Sequence, residues 1–522
     1  MLDLIISGGR VWDGTGAPEQ ALDIGIRGDR IEDVGNLSRA EAKETIRADG
    51  CMVNPGFIDV HSHSDAYLLI EPGAHSKIYQ GITTEVVGNC GASAGPRFGP
   101  ARMPSDWQEQ VYPGEWSTVA EYRGLLEQVR PAPNAYLLIG HNTLRASVMG
   151  YENRAPSPEE MADLHRHLDQ ALAEGGRGLS TGLVYAPGMF AATEEIAELA
   201  RTTAARGGIY TSHMRSEGAR LWEAVDEALD IGRRSGARVQ ISHLKTSGPA
   251  HWSKLDGALE RIERARASGL DVASDRYPYI ASCTDLDVML PDWAAEGSRA
   301  EIIGRLRDPS QRARILDALL SGHDAGYWSR VTIGSTRHPD HSAYAGCPLE
   351  KVAEAMGLEP AEAALTLMEK DELATGGIFF GMSEENMWRI LAQSWVMLGS
   401  DGSLRAPTGP LSRDHPHPRN YGAFTRFLRA ALDGRTVSLA EAIRKMTSLP
   451  ADHFQMRDRG RIRRGAFADI IVWNPDTVRD RAEYARPHQL SEGMQWIVVN
   501  GAVTLRHGQL TGRRAGRVLD DA

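Results

Sequence analysis

Over the first fifty residues the apolar positions come in short runs broken by glycine: Leu4 to Ser7, Val11, Leu22 to Ile26, Ile31 to Val34, then Thr45 to Arg47. Alternating runs with turn residues between them predict small antiparallel strands. The last sixty residues repeat that texture in Asp469 to Trp473, Trp496 to Val499 and Val503 to Arg506, with Asn500-Gly501 as a hairpin turn. The two chain ends, 1–54 and 456–522, are therefore expected to build one small β-sandwich together.

Between the ends the pattern changes to strand, glycine-rich loop and long amphipathic helix, several times over. Pro158 to Glu174, Thr193 to Arg206, Leu221 to Ser235 and Lys254 to Ser268 carry apolar residues near 3.6-residue spacing. Each is followed by a short apolar run: Gly178 to Leu183, Gly208 to Ser212, Arg238 to Ser242 and Val272 to Asp275. Repeated βα units make a parallel sheet, and eight of them close into a barrel. The expected fold is α/β, a (β/α)8 TIM barrel over 55–455 with the sandwich at its side. A charge-rich helical stretch at 285–339 interrupts the repeat directly after a candidate barrel strand. Loops at that end of a barrel build its active site, so this insertion is expected to serve as a lid or as plain helical decoration.

Composition narrows the function. The 522 residues carry 58 basic and 69 acidic side chains, a net charge of −11, with no basic stripe to follow a phosphate backbone. No nucleic-acid partner is expected, and an acidic substrate would need locally placed Lys or Arg. Four cysteines, Cys51, Cys90, Cys283 and Cys347, form neither a disulfide framework nor a C-x-x-C pair, which fits a reducing cytoplasm. The opening segment lacks a charged n-region and a long apolar h-region, and no later run approaches ~20 apolar residues, so neither export nor membrane spanning is expected.

Candidate chemistry sits at the ends of apolar runs. Val53-Asn-Pro-Gly-Phe-Ile-Asp-Val-His61-Ser-His63 places two imidazoles two residues apart, on one face of an extended chain. A His-x-His pair alone is common by chance. His213 ends Gly208-Ile-Tyr-Thr-Ser-His, and His243 ends Val239-Gln-Ile-Ser-His. Strand ends of one barrel ring a single axis, so these histidines should converge on its mouth and bind metal. Asp401, in Val396-Met-Leu-Gly-Ser-Asp-Gly, delivers a carboxylate to the same rim, able to ligate a cation or accept a proton from water.

This combination resembles the amidohydrolase superfamily, with His-x-His on the first strand, one histidine on each of the fifth and sixth, and an aspartate on the eighth. The stretch from Gly460 to Trp473 is similar to that family's return strand into the sandwich. Hydantoinases and dihydroorotases in it typically bridge two metals with a carboxylated lysine on the fourth strand, yet Gly178 to Tyr185 holds no lysine. The second strand instead ends at Cys90, and a thiolate is a good zinc ligand. That cysteine, Ser180 to Gly188, Ser242-His243-Leu-Lys245, Asp275-Arg-Tyr277-Pro-Tyr279 and His415-Pro-His417-Pro-Arg419 together look like the D-aminoacylase branch, the N-acyl-D-amino-acid deacylases. Ala281-Ser-Cys283-Thr284 departs from it, where Gly-Ser-Thr is more usual.

The resemblance implies zinc-dependent hydrolysis of a small N-acyl-D-amino acid. Cys90, His213 and His243 would hold one tight zinc, and His61, His63 and Asp401, sharing Cys90, a second, weaker one. Asp401 would carry the proton from water to the leaving nitrogen. Lys245 and Arg419 would grip the substrate carboxylate, with Tyr185 and Tyr277 as hydroxyl donors. Two rivals remain at this level: a cyclic-amide hydrolase, disfavoured by the missing lysine, and a non-catalytic binding barrel, which should have lost ligands.

Overall fold

A computed structural model describes residues 1–108, 110–324 and 326–520. Its centre is parallel β-structure. Phe57–Asp59, Ile82–Val87 and Asn134–Leu137 lie side by side in one sheet. Ile139–Gly140, Gly178–Gly182, Ile209–His213, Arg238–Ile241, Val272–Arg276 and Val396–Leu398 follow in order in a second, all parallel. Only Leu138 separates the sheets in sequence, and its N–H donates to Val87 O at 2.9 Å. At the far edge Ser62 bridges Gly402 in parallel, and the Asp401 N–H donates to His61 O at 2.8 Å. Ile82–Val87, Gly178–Gly182, Ile209–His213 and Val272–Arg276 are buried at every position, so polar residues among them, such as Thr83, Glu85, Ser180 and Asp275, are buried with the apolar ones.

The helices between them start and stop where the sequence says. Pro158–Ala173 opens with a capping box, Ser157 accepting the Glu160 N–H while the Glu160 carboxylate accepts the Ser157 N–H, and buries Leu164, Leu168, Ala171 and Leu172 on one stripe. Leu221–Ser235 ends at Gly236, whose φ of +75° suits a residue without Cβ.

The chain ends meet in two sheets. Arg30–Gly35, Asp23–Arg27, Leu2–Ser7 and Ala42–Arg47 form a four-stranded sheet, and Met52–Pro55 joins Ile470–Trp473, Met494–Val499 and Ala502–Arg506 in a seven-stranded one. The expectation of antiparallel strands is corrected: Leu2–Ser7 pairs Ala42–Arg47 in parallel, because residues 36–41 run back across the sheet before that strand begins. Leu4, Ile6, Ile24, Ile26 and Ile46 from one sheet share a hydrophobic cluster with Val53, Ile470, Val472 and Val498 from the other.

The inserted segment is also larger than 285–339. Ala281–Asp285, Gly376–Phe380 and Val331–Ile333 form an antiparallel sheet in that order, backed by Arg299–Arg307, Pro309–Gly322, Leu349–Met356 and Pro360–Lys370. Its central strand is the last in sequence, so the unit cannot close before residue 380. It owns a separate core that runs from Leu286 to Leu373. Among the described residues no helix is long and apolar enough to cross a membrane.

That separate core generates a test. Leu365→Ala, at a fully buried position within it, should cost about 2–5 kcal/mol. Hydrogen exchange read by mass spectrometry should lose protection across 281–380 and keep it in the parallel strands; uniform loss along the chain would mean that the inserted unit has no core of its own.

Candidate metal centre

Six side chains from strand ends meet at one point. His61 and His63 lie just beyond Phe57–Asp59, Cys90 beyond Ile82–Val87, His213 at the end of Ile209–His213, His243 beyond Arg238–Ile241 and Asp401 beyond Val396–Leu398. Cys90 Sγ stands 3.2 Å from His61 Nε2 and 3.5 Å from His243 Nε2. Asp401 Oδ1 stands 3.4 Å from His61 Nε2 and 3.1 Å from His63 Nε2. The His213 ring centroid is 4.4 Å from that of His243, and its buried Nδ1 has no hydrogen-bond partner. Cys90, His243 and Asp401 adopt left-handed backbone, with φ of +53°, +35° and +50°. Such conformations cost about 1–3 kcal/mol each and persist only where the surroundings enforce them.

This donor set fits zinc. With bonds of about 2.0–2.3 Å, tetrahedrally placed N, O and S donors stand about 3.3–3.6 Å apart. Three separations here, Cys90 to His61 at 3.2 Å, Cys90 to His243 at 3.5 Å and His61 to Asp401 at 3.4 Å, fall near that spacing, and the donor atoms of all four lie within 4.8 Å of one another. The electrostatics agree. Burial would push the Cys90 thiol up, but His61 and His243 hold it well below its ordinary value. Burial would likewise raise Asp401, and Arg419, then His243 and His61, hold it well below the carboxylate range. Against burial, Asp401 and Cys90 lift His63 to about 9. A thiolate and a carboxylate thus stay charged away from water because cations surround them, the role that a metal ion takes over on binding.

Two carboxylates orient these donors from behind, and the sequence reading missed both roles. Asp275 faces His61 Nδ1 at 3.2 Å and accepts the His243 N–H at 2.9 Å and a Gln240 side-chain N–H at 2.7 Å. Glu217 faces His243 Nδ1 at 2.9 Å. A carboxylate on the second nitrogen fixes the tautomer and leaves the first for a metal. Asp275 ends a strand among the quoted motifs and was findable; Glu217 lies in a loop without any pattern.

The expected substrate residues reach the site, but not as free cations. Lys245 Nζ is paired with Glu217 and lies 2.7 Å from His243 Nδ1. Arg419 donates to Asp401 Oδ2 at 2.6 Å and to Cys283 O at 3.2 Å, over the Tyr277 ring at 4.7 Å. Its Nε and the Tyr277 hydroxyl are both buried without partners. Tyr185 packs edge-on against His213 at 5.1 Å. A cavity of about 750 Å³ is lined by His63, Cys90, His213, His243, Asp401 and Tyr185, and on its outer side by Cys283, Asp287, Arg299 and Phe380 of the inserted unit. Tyr277 stands behind that wall.

The amidohydrolase family model matches residues 44–316 and 392–509. The chain is 39% identical to N-acyl-D-glutamate deacylase of Alcaligenes xylosoxydans xylosoxydans, over 99% of this chain and 96% of that protein. It is 36% identical to D-aminoacylase of the same organism, over 99% and 97%. Among solved structures, N-acyl-D-glutamate deacylase from Bordetella bronchiseptica, complexed with zinc and a phosphonate mimic of the tetrahedral intermediate, superposes with a TM-score of 0.85 at 36% identity, covering 99% of each chain.

The Lys245–Glu217 pair, with side chains 3% and 12% exposed, permits a measurement that needs no metal. Glu217→Ala strands the ammonium and should cost about 3–5 kcal/mol in denaturant unfolding, whereas adding Lys245→Met should restore most of the loss. Additive losses in the double variant would show that the two groups are uncoupled.

Proposed function

The chain belongs to the amidohydrolase family, and from that membership we infer that it hydrolyses the amide bond of N-acyl-D-amino acids, releasing a carboxylic acid and a free D-amino acid. The observation that carries this reading is Cys90 Sγ placed within 3.5 Å of both His61 and His243, where no fourth-strand lysine is available as a bridge. Zinc would be held tightly by Cys90, His213 and His243, and more weakly at a second position by His61, His63 and Asp401 sharing Cys90. When bound, zinc polarises an acyl carbonyl and makes water more acidic.

The chain's own residues supply the remainder. Asp401, kept ionised by Arg419, accepts the proton of the attacking water and returns it to the departing nitrogen, which cannot leave as an amide anion. Arg419, which lines the cavity and has a buried Nε without a partner, is the donor fitted to a substrate carboxylate, with Tyr277 packed behind its guanidinium. Lys245, paired with Glu217, has further N–H groups to offer the same carboxylate. Tyr185 lines the cavity and would offer its hydroxyl to the substrate.

We read the parallel strands and the Ser62–Gly402 bridge as one closed (β/α)8 barrel over 55–455, and the two end sheets as a β-sandwich of 1–54 and 456–522. The four unpaired cysteines suit a cytoplasmic location. The partner is a small N-acyl amino acid, with neither nucleic acid nor membrane involved.

Release of free amine from N-acetyl and N-formyl forms of D- and L-amino acids tests the activity. One hand should be cleaved and the other spared, because zinc and the carboxylate clamp together would fix two of the four groups on the α-carbon, and the names of the relatives make the cleaved hand the D form. Capping the carboxylate as an amide should raise KM. Equal rates on both hands, or indifference to capping, would refute the reading. Asp401→Asn should keep most of the zinc while kcat falls by ~10² or more; wild-type turnover in that variant would remove Asp401 from proton transfer.

A further inference from the structure

Ser76, Lys77 and Gln80 touch none of the donors and do not line the cavity, yet each is completely buried. Burying an ammonium and two polar side chains is costly unless every one is engaged. Among their partners are groups that flank Asp401 and groups in the helix that begins with Arg419. Lys77 Nζ has Ser400 Oγ at 3.0 Å and Gly402 O at 2.9 Å, on either side of Asp401, with Asp59 Oδ2 at 2.9 Å, Glu85 Oε1 at 3.0 Å and Ser62 Oγ at 3.1 Å behind. Asp59 in turn accepts the Ser400 N–H at 2.8 Å and the His61 N–H at 3.3 Å. Ser76 holds Arg405 by both its N–H, at 3.1 Å, and its Oγ, at 2.9 Å. Gln80 donates to Asn420 O at 3.1 Å and accepts the Phe424 N–H at 3.1 Å, in the first turns of the helix Arg419–Leu432.

One short segment therefore carries both the strained turn at Asp401 and the helix that begins with Arg419. Left-handed backbone at Asp401 needs neighbours that enforce it, and the Asp401–Arg419 contact of 2.6 Å needs its two supports held in register. We propose that Ser76, Lys77 and Gln80 form a buried clamp of positioning residues: Lys77 sets the Asp401 carboxylate for proton transfer, and Gln80 sets the Arg419 guanidinium for the substrate carboxylate. The proposal rests on the roles given above to Asp401 and Arg419.

The two arms of the clamp separate kinetically. In zinc-loaded enzyme, counted per bound zinc, Lys77→Met should lower kcat by about 10²-fold with KM within about twofold of wild type, the scale of a displaced catalytic group. Gln80→Met should raise KM about tenfold for free-acid substrates and leave the KM of carboxylate-capped ones unchanged, any loss of kcat through the Arg419–Asp401 contact being shared by both. If Lys77→Met does not fold, Ser400→Ala, which strands no charge, should show the same kcat-selective loss on a smaller scale. Variants that melt earlier but keep wild-type kcat and KM per zinc would overturn the clamp, leaving Lys77 and Gln80 as structural polar groups. Wild-type enzyme inactive on every N-acyl-D-amino acid would instead defeat the functional reading itself.

Discussion

The centre of this structure is organised around a buried cysteine sulfur that the imidazoles of His61 and His243 hold in its charged form. Cys90 Sγ lies 3.2 Å from His61 Nε2 and 3.5 Å from His243 Nε2, with the Asp401 carboxylate alongside. Two buried anions side by side repel one another and lose much of their hydration, so the imidazoles and the Arg419 guanidinium have to lie close to offset them. That requirement explains why the donors come from separate strand ends. Parallel strands laid side by side end at one edge and bring their terminal side chains together there, and Cys90, His243 and Asp401 leave their strands through left-handed turns to complete the approach.

A second tier follows from the same demand. Imidazoles that face inward present their other nitrogen to the scaffold, and Asp275 and Glu217 occupy those positions for His61 and His243. Those carboxylates need balancing too: Glu217 takes Lys245 and Asp275 takes Gln240. On the opposite side Asp59 and Glu85 converge on Lys77. The polar interior is thus a connected set in which deletion of any one member leaves another buried and unsatisfied. The inserted unit, with a core of its own, bounds the cavity and joins this set at Cys283, whose carbonyl accepts from Arg419 at 3.2 Å.

How far the sequence reveals this depends on whether a residue's role follows from its place on an element. His61, His63, His213, His243 and Asp401 end apolar runs, so their convergence was legible from strand geometry, and Cys90 from resemblance. Lys77 and Gln80 sit in His75-Ser-Lys-Ile-Tyr-Gln-Gly, which has the look of a solvated turn; polar residues there are ordinarily exposed, and nothing local marks them as buried. Glu217 was invisible for the same reason. The reach of the insertion was misjudged because Gly376–Phe380, flanked by amphipathic helices, has the pattern of one more βα unit. Its antiparallel pairing with Ala281–Asp285, a long-range fact, is what removes it from the parallel set. The parallel pairing of Leu2–Ser7 with Ala42–Arg47 escaped notice likewise, since alternation reports a strand but not its direction.

Zinc-edge X-ray absorption on the purified enzyme tests the thiolate-centred site most directly. One sulfur scatterer at about 2.3 Å with nitrogen or oxygen at about 2.0–2.1 Å is expected, the sulfur contribution vanishing in Cys90→Ala. A first shell of nitrogen and oxygen alone in the active wild-type enzyme would contradict a site built around Cys90.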